Sequence, residues 1–75
     1  MDEETLVLTG LKCPLPAMMA RRALARLAPG ARLTVLASDP LAVVDIPHMC
    51  GEEGHTVENV TSGEGRSIFR IQAKP

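Results

Sequence analysis

The stretch Gly10-Leu11-Lys12-Cys13-Pro14-Leu15-Pro16 constrains this chain more than any other. A short apolar run with strand character precedes it, and a run with helical periodicity follows. Proline is tolerated in the first turn of a helix, because the first backbone N–H groups have no partner there. Pro14 and Pro16, closely following Cys13, therefore mark a helix start. This reading puts Cys13 at the N-cap, where unpaired amides and the helix dipole favour negative charge. It predicts a thiol moderately more acidic than a free one. The fall in pKa is limited because Pro14 and Pro16 lack N–H groups, leaving Leu15 and Ala17 as the nearby donors. Moderate acidity suits exchange chemistry, with enough thiolate to attack and enough nucleophilicity retained.

Around this joint the chain divides cleanly. Residues 5–9 are short, apolar and partly β-branched, and read as a strand that Gly10 breaks. Residues 14–28 read as a helix stopped by Pro29-Gly30. At about 100° per residue, Ala20, Ala23, Leu24 and Leu27 share one face. Arg22 and Arg26 lie opposite, with Arg21 on the flank. Residues 31–37 alternate as a strand, with Leu33, Val35 and Ala37 on one side. Asp39-Pro40 and then Asp45 with Pro47 read as two capped starts. They predict a helical turn followed by a helix over 45–53, ended by Gly54. Ile46, Met49, Cys50 and Glu53 form its apolar stripe. Residues 56–62 and 66–73 read as strands of a hairpin around Ser62-Gly63-Glu64-Gly65. In the last strand Phe69, Ile71 and Ala73 face one way, and Arg66, Ile68, Arg70 and Gln72 the other.

The order β-α-β-α-β-β predicts a two-layer α/β sandwich: a four-stranded mixed sheet with two helices on one face, given right-handed crossovers. Residues 1–75 are expected to form a single domain, with the other sheet face open to polar residues such as Thr34 and Arg70.

Length and composition narrow the function classes. A chain of 75 residues buries only about 60% of its unfolded-chain surface, so modest stability is expected. Two cysteines provide no disulfide framework. Phe69 is the only aromatic residue, which argues against base stacking and direct nucleic-acid binding. The net charge of −1 makes no case for a polyanion partner. The acidic N-terminus, Met1-Asp2-Glu3-Glu4, is unlike a signal peptide. The longest apolar runs, four residues as in Leu41 to Val44, are too short for a membrane span. A cytoplasmic protein with reduced thiols is the expectation.

Charge is nonetheless uneven. Lys12, Arg21, Arg22, Arg26 and Arg32 are the only charged residues between Thr5 and Ser38. Asp45, Glu52, Glu53, Glu58 and Glu64 are the only ones from Asp45 to Glu64. These are either two solvated faces or a basic docking ridge on the first helix. Leu15, Met18 and Met19 fall beside that ridge, within about a turn of Cys13. They either fold back over the sheet edge or form a partner-docking patch.

Cys13 is the strongest candidate for chemistry. Cys50, on an apolar stripe, reads as a structural thiol. A Cys13–Cys50 bridge needs Cα atoms within about 7 Å, which spacing alone does not fix. Cys13, Cys50, His48 and His55 are zinc-ligand types without paired short spacings, so no metal is expected. His55 reads as a turn residue after Gly54, and His48 as exposed. No third residue orients a Cys/His catalytic pair, and no glycine-rich phosphate loop is present. No cofactor is expected.

Gly10-Leu11-Lys12-Cys13-Pro14-Leu15-Pro16, with Met18-Met19 and Arg21-Arg22-Ala23-Leu24, resembles the TusA/SirA-like family of sulfur-carrier proteins, marked by Cys-Pro-x-Pro at the start of the first helix. Ser38-Asp39-Pro40, Asp45-Ile46-Pro47, Cys50 and Gly54-His55 extend the resemblance over nearly the whole chain. It implies the same β-α-β-α-β-β sandwich, a fold also similar to the C-terminal domain of a translation initiation factor. It implies a sulfurtransferase acting as a persulfide relay, a carrier rather than an independent multi-turnover enzyme. Cys13 would accept sulfane sulfur from a cysteine desulfurase or rhodanese-type donor and pass it to an acceptor protein. The family's destinations include tRNA thiolation, molybdenum-cofactor assembly and sulfur oxidation.

Gly10, Pro14 and Pro16 would fix the helix start, and Lys12, Leu15, Met18, Arg21 and Arg22 the docking surface of a monomer. Two positions depart from the family pattern. Val7 stands where many members carry Asp, and Leu15 where tRNA-thiolation members often carry Glu. Leu15 removes a charge next to the thiol and enlarges the apolar patch; both changes leave the thiol chemistry intact, and no one pathway is selected. The alternative reading is a non-catalytic regulatory module that binds RNA or protein through the open sheet face.

Overall fold

Alternation along the two central strands decides which sheet face is covered. The computed structural model describes residues 3–75. Met1 and Asp2, part of the acidic N-terminal run, lie outside the described residues. The elements are β1 (Glu3–Leu8), α1 (Leu15–Arg26), β2 (Arg32–Ala37), α2 (Ala42–Glu53), β3 (Thr56–Gly63) and β4 (Arg66–Gln72). The strands make one four-stranded sheet in the order β1-β2-β4-β3. β1 and β2 are parallel, and β4 runs antiparallel to both its neighbours. The mixed sheet and element order match the sandwich expected from the sequence.

Leu33, Val35 and Ala37 of β2 and Phe69 and Ile71 of β4 turn inward, as their alternation requires. They form one cluster with Ala20, Ala23 and Leu24 of α1 and Ala42, Ile46, Met49 and Cys50 of α2. Burying a side chain such as Phe69 or Ile46 contributes about 1.5–3 kcal/mol. Both helices thus pack on one layer.

On the other face the register sets Thr5, Thr34, Arg70 and Asn59 in one row, and Val7, Leu36, Ile68 and Thr61 in the next. Val7 is 62% exposed. A bulge between Val57 and Asn59 leaves Glu58 as the extra residue of β3. Glu58 reaches across β4 to Arg32, accepting from Nε at 2.9 Å and from Nη2 at 3.2 Å. The hairpin closes at the Gly63–Arg66 pair. Its connection is therefore just Glu64-Gly65, both at positive φ (53° and 75°). That is the backbone twist that joins antiparallel strands most tightly.

Several boundaries differ from the sequence reading. β1 ends at Leu8 rather than Thr9, because Leu11 N–H turns back to the Leu8 carbonyl (3.2 Å). α1 ends at Arg26, where Leu27 turns extended. β4 ends at Gln72, although Ala73 remains buried and its N–H donates to the Ala31 carbonyl (2.8 Å). The largest difference is α2. The expected turn plus helix over 45–53 is one helix from Ala42, with Pro47 inside it. Ala42, Ile46, Met49 and Cys50 are all buried at i, i+4, i+7 and i+8. This single stripe holds both turns against the sheet and carries the helix through the proline despite one lost backbone bond. Asp39 does not cap it with its side chain; its carbonyl takes the Ala42 N–H instead (3.0 Å).

Candidate functional site

The loop after β1 is held from across the fold. Gly10 sits at φ 87°, a left-handed conformation that glycine adopts without strain. Its N–H donates to the Ser38 hydroxyl at 2.8 Å. The Cys13 N–H donates to Asp39 Oδ2 at 3.1 Å. Cys13 Sγ donates to Asp45 Oδ2 at 2.9 Å. The β2–α2 loop and the first turn of α2 therefore grip both the backbone and the side chain of Cys13.

Cys13 is not the N-cap. Pro14 occupies that position, and α1 begins at Leu15 with a proline in its first turn. The reason is local: Leu15 N–H donates to the Lys12 carbonyl at 2.8 Å, so one expected donor to the thiol is already used. The thiol stays exposed and unbridged.

The expected fall in thiol pKa is reversed. The Asp45 hydrogen bond is the main cause of a raised value, followed by partial desolvation and the nearby charges of Asp45 and Asp39. A carboxylate accepts from a neutral S–H but repels a thiolate at the same distance. Helix-start amides no longer decide the outcome, because two aspartates face the sulfur region instead.

The other candidates separate by position. Leu15 is 45% exposed and Met18 48%, so these side chains of α1 present apolar surface to solvent rather than folding over the sheet edge. Met19, Lys12 and Arg22 are exposed as well. Arg21, further along α1, lines a cleft with Glu53, His55 and Lys74. Leu41 and Val44 add exposed apolar surface beside Asp45, a contribution the sequence reading missed. Pro16 is buried and anchors the first turn of α1.

Cys50 is buried with its thiol pushed up to about 11 by desolvation. His55 is the expected turn residue. Its N–H donates to the Cys50 carbonyl (2.9 Å), and its Nδ1 accepts from Lys74 N–H (3.0 Å). His48 is exposed and lies 3.5 Å from Glu52. Among the described residues, no helix is long and apolar enough to cross a membrane.

Ser38, Asp39 and Asp45 are the site residues that sequence reasoning assigned no role at the thiol. The signal was present as two Asp-and-Pro elements, each of which also fits a helix cap.

Fold and site define a class: a small two-layer α/β sandwich that offers one exposed thiol at a strand–helix joint. The family profile described as sulfurtransferase TusA matches residues 4–73, and the chain belongs to that family. A candidate sulfur carrier protein of Neisseria meningitidis serogroup A is 42% identical over 74 residues, 99% of this chain and 100% of that one. The sulfur carrier protein TusA of Pseudomonas aeruginosa is 39% identical over 66 residues, 88% of this chain and 84% of that one. Among solved structures, a SirA-like protein from Desulfitobacterium hafniense superposes with a TM-score of 0.81 at 28% identity, covering 95% of this chain and 97% of that one.

Proposed function

We propose that this protein carries sulfane sulfur as a persulfide on Cys13, taking it from a cysteine desulfurase or rhodanese-type donor and handing it to an acceptor protein. The observation that carries this reading is the exposed, unbridged Cys13 at the head of α1, in a chain of the TusA family. Loading is thiol–disulfide exchange with a persulfide as the electrophile. Cys13 sulfur bonds to the donor's outer sulfur, and the donor's inner sulfur leaves with the electron pair. Discharge repeats the exchange with the acceptor's thiol as nucleophile. Lys12, Leu15, Met18, Arg21 and Arg22 form the docking surface. The exposed Leu15 and Met18 support that assignment most directly, because adaptable apolar side chains beside a reacting atom suit a macromolecular partner.

The test is intact-protein mass spectrometry after incubation with a desulfurase and cysteine. One added sulfur atom, removable by reductant, is expected on the parent protein and none on Cys13→Ser. Equal sulfur gain by Cys13→Ser would overturn the assignment.

A further inference from the structure

We propose that Asp45 is the proton-transfer residue of the Cys13 relay, an inference that rests on the persulfide function above. Its Oδ2 lies 2.9 Å from Sγ, within the reach required of a general base toward the proton it removes. The carboxylate is also well positioned. Asp45 stands in the first turn of α2, next to Ile46, which is completely buried in the core. Asp39, the other nearby acid, commits Oδ2 to the Cys13 backbone N–H rather than to the sulfur.

The balance of the loading step is complete without an oxidant. Sγ bonds to the outer sulfur of R–S–SH as the donor's S–S bond breaks. The electron pair of that bond leaves on RS⁻, and the Sγ proton passes to Oδ2. Asp45 then gives the proton to RS⁻. The sum is Cys13–SH plus R–S–SH giving Cys13–S–SH plus RSH. Discharge is the reverse. The acceptor thiol yields its proton to Asp45, its sulfur takes the outer sulfur, and Cys13 leaves with the electron pair and recovers the proton from Oδ2.

This role accounts for a feature that a simple thiolate mechanism makes awkward. A carboxylate against the sulfur disfavours the free thiolate, yet it is correctly placed to remove the proton as the new S–S bond forms. The two routes respond oppositely to its removal. The titratable and charged groups on the surrounding elements are Asp45 and, a turn further, His48 on α2, Asp39 in the β2–α2 loop, and Lys12 in the cysteine's own loop; Asp45 and Asp39 are the ones that act on the thiol.

The experiment compares parent protein, Asp45→Asn and Asp45→Glu with two probes. The first is the pH profile of Cys13 alkylation by iodoacetamide. The second is the rate of sulfur uptake from glutathione persulfide, followed by mass spectrometry. Asp45→Asn is expected to move the alkylation midpoint to lower pH while slowing uptake about 10²-fold, the low end of general acid–base effects. Asp45→Glu is expected to recover part of the uptake. An unmoved alkylation profile, or uptake by Asp45→Asn as fast as the parent's, would overturn the role of Asp45 and leave the relay standing. Persulfide on Cys13→Ser would overturn the relay itself.

Discussion

Cys13 stands exposed at the β1–α1 joint, whereas Cys50 lies on the buried stripe of α2 with 1% of its surface exposed. Both thiols titrate above their ordinary range, but the causes differ. Desolvation pushes Cys50 up to about 11. At Cys13 the first cause is the hydrogen bond to Asp45. A solvent-shielded thiol stays protonated as long as the core stays closed. A carboxylate-held thiol keeps its upward shift only until that one contact changes. The same direction of shift therefore describes an inert group in one place and a controllable one in the other.

The sharpest way to break this comparison is alkylation. In native protein above neutral pH, Cys13 is expected to react and Cys50 to react at least about 10³-fold more slowly, since the unfolding constants that would expose it begin near that size. The sign follows from the raised values: reaction at Cys13 speeds up as pH climbs towards its elevated pKa, because the thiolate fraction grows. Peptide mapping after a timed iodoacetamide pulse reads both rates. Comparable native rates would remove the distinction between the two thiols.

A second, smaller effect separates core from site. Ile46→Ala is expected to lower stability by about 2–5 kcal/mol, the range for truncating a buried aliphatic residue, measured by urea denaturation. Cys50 alkylation should accelerate through the increased unfolded fraction. If it does not, Cys50 is protected by something other than the core.

The smallest expected change is Gly10→Ala. No neighbour lies within 4 Å of the added Cβ, so only the left-handed backbone resists it. The cost is about 1–2 kcal/mol. Its urea midpoint should fall by less than that of Ile46→Ala, and a larger fall would mean that the loop carries core-like weight.

The two thiols also show how far the sequence could be read. Cys50 was legible because its environment is periodic: Ile46, Met49 and Cys50 repeat on one helical face, and burial follows from that repeat. The strand faces were legible for the same reason, with Leu33, Val35 and Ala37 alternating against Arg32, Thr34 and Leu36. The surroundings of Cys13 were not periodic. Its two carboxylate partners lie 26 and 32 residues away in the chain and meet it only once the sheet and α2 are assembled. Asp39 and Asp45 each precede a proline closely enough to fit a helix cap, and the local pattern favoured that use. The same locality misplaced the N-cap by one residue. Nothing in the Cys-Pro-x-Pro spacing shows that Leu15 N–H closes a turn on Lys12. The Arg32–Glu58 pair escaped for a related reason, since a bulge shifts the register of β3 and brings Glu58 across β4.

Asp45 and Ile46 are adjacent on α2, one against the Cys13 sulfur and the other sealed in the core. They couple two properties usually measured apart. Any slip of α2 over the sheet lengthens the 2.9 Å contact as it loosens the packing. The acidity of one surface atom is therefore a gauge of how firmly a helix is seated.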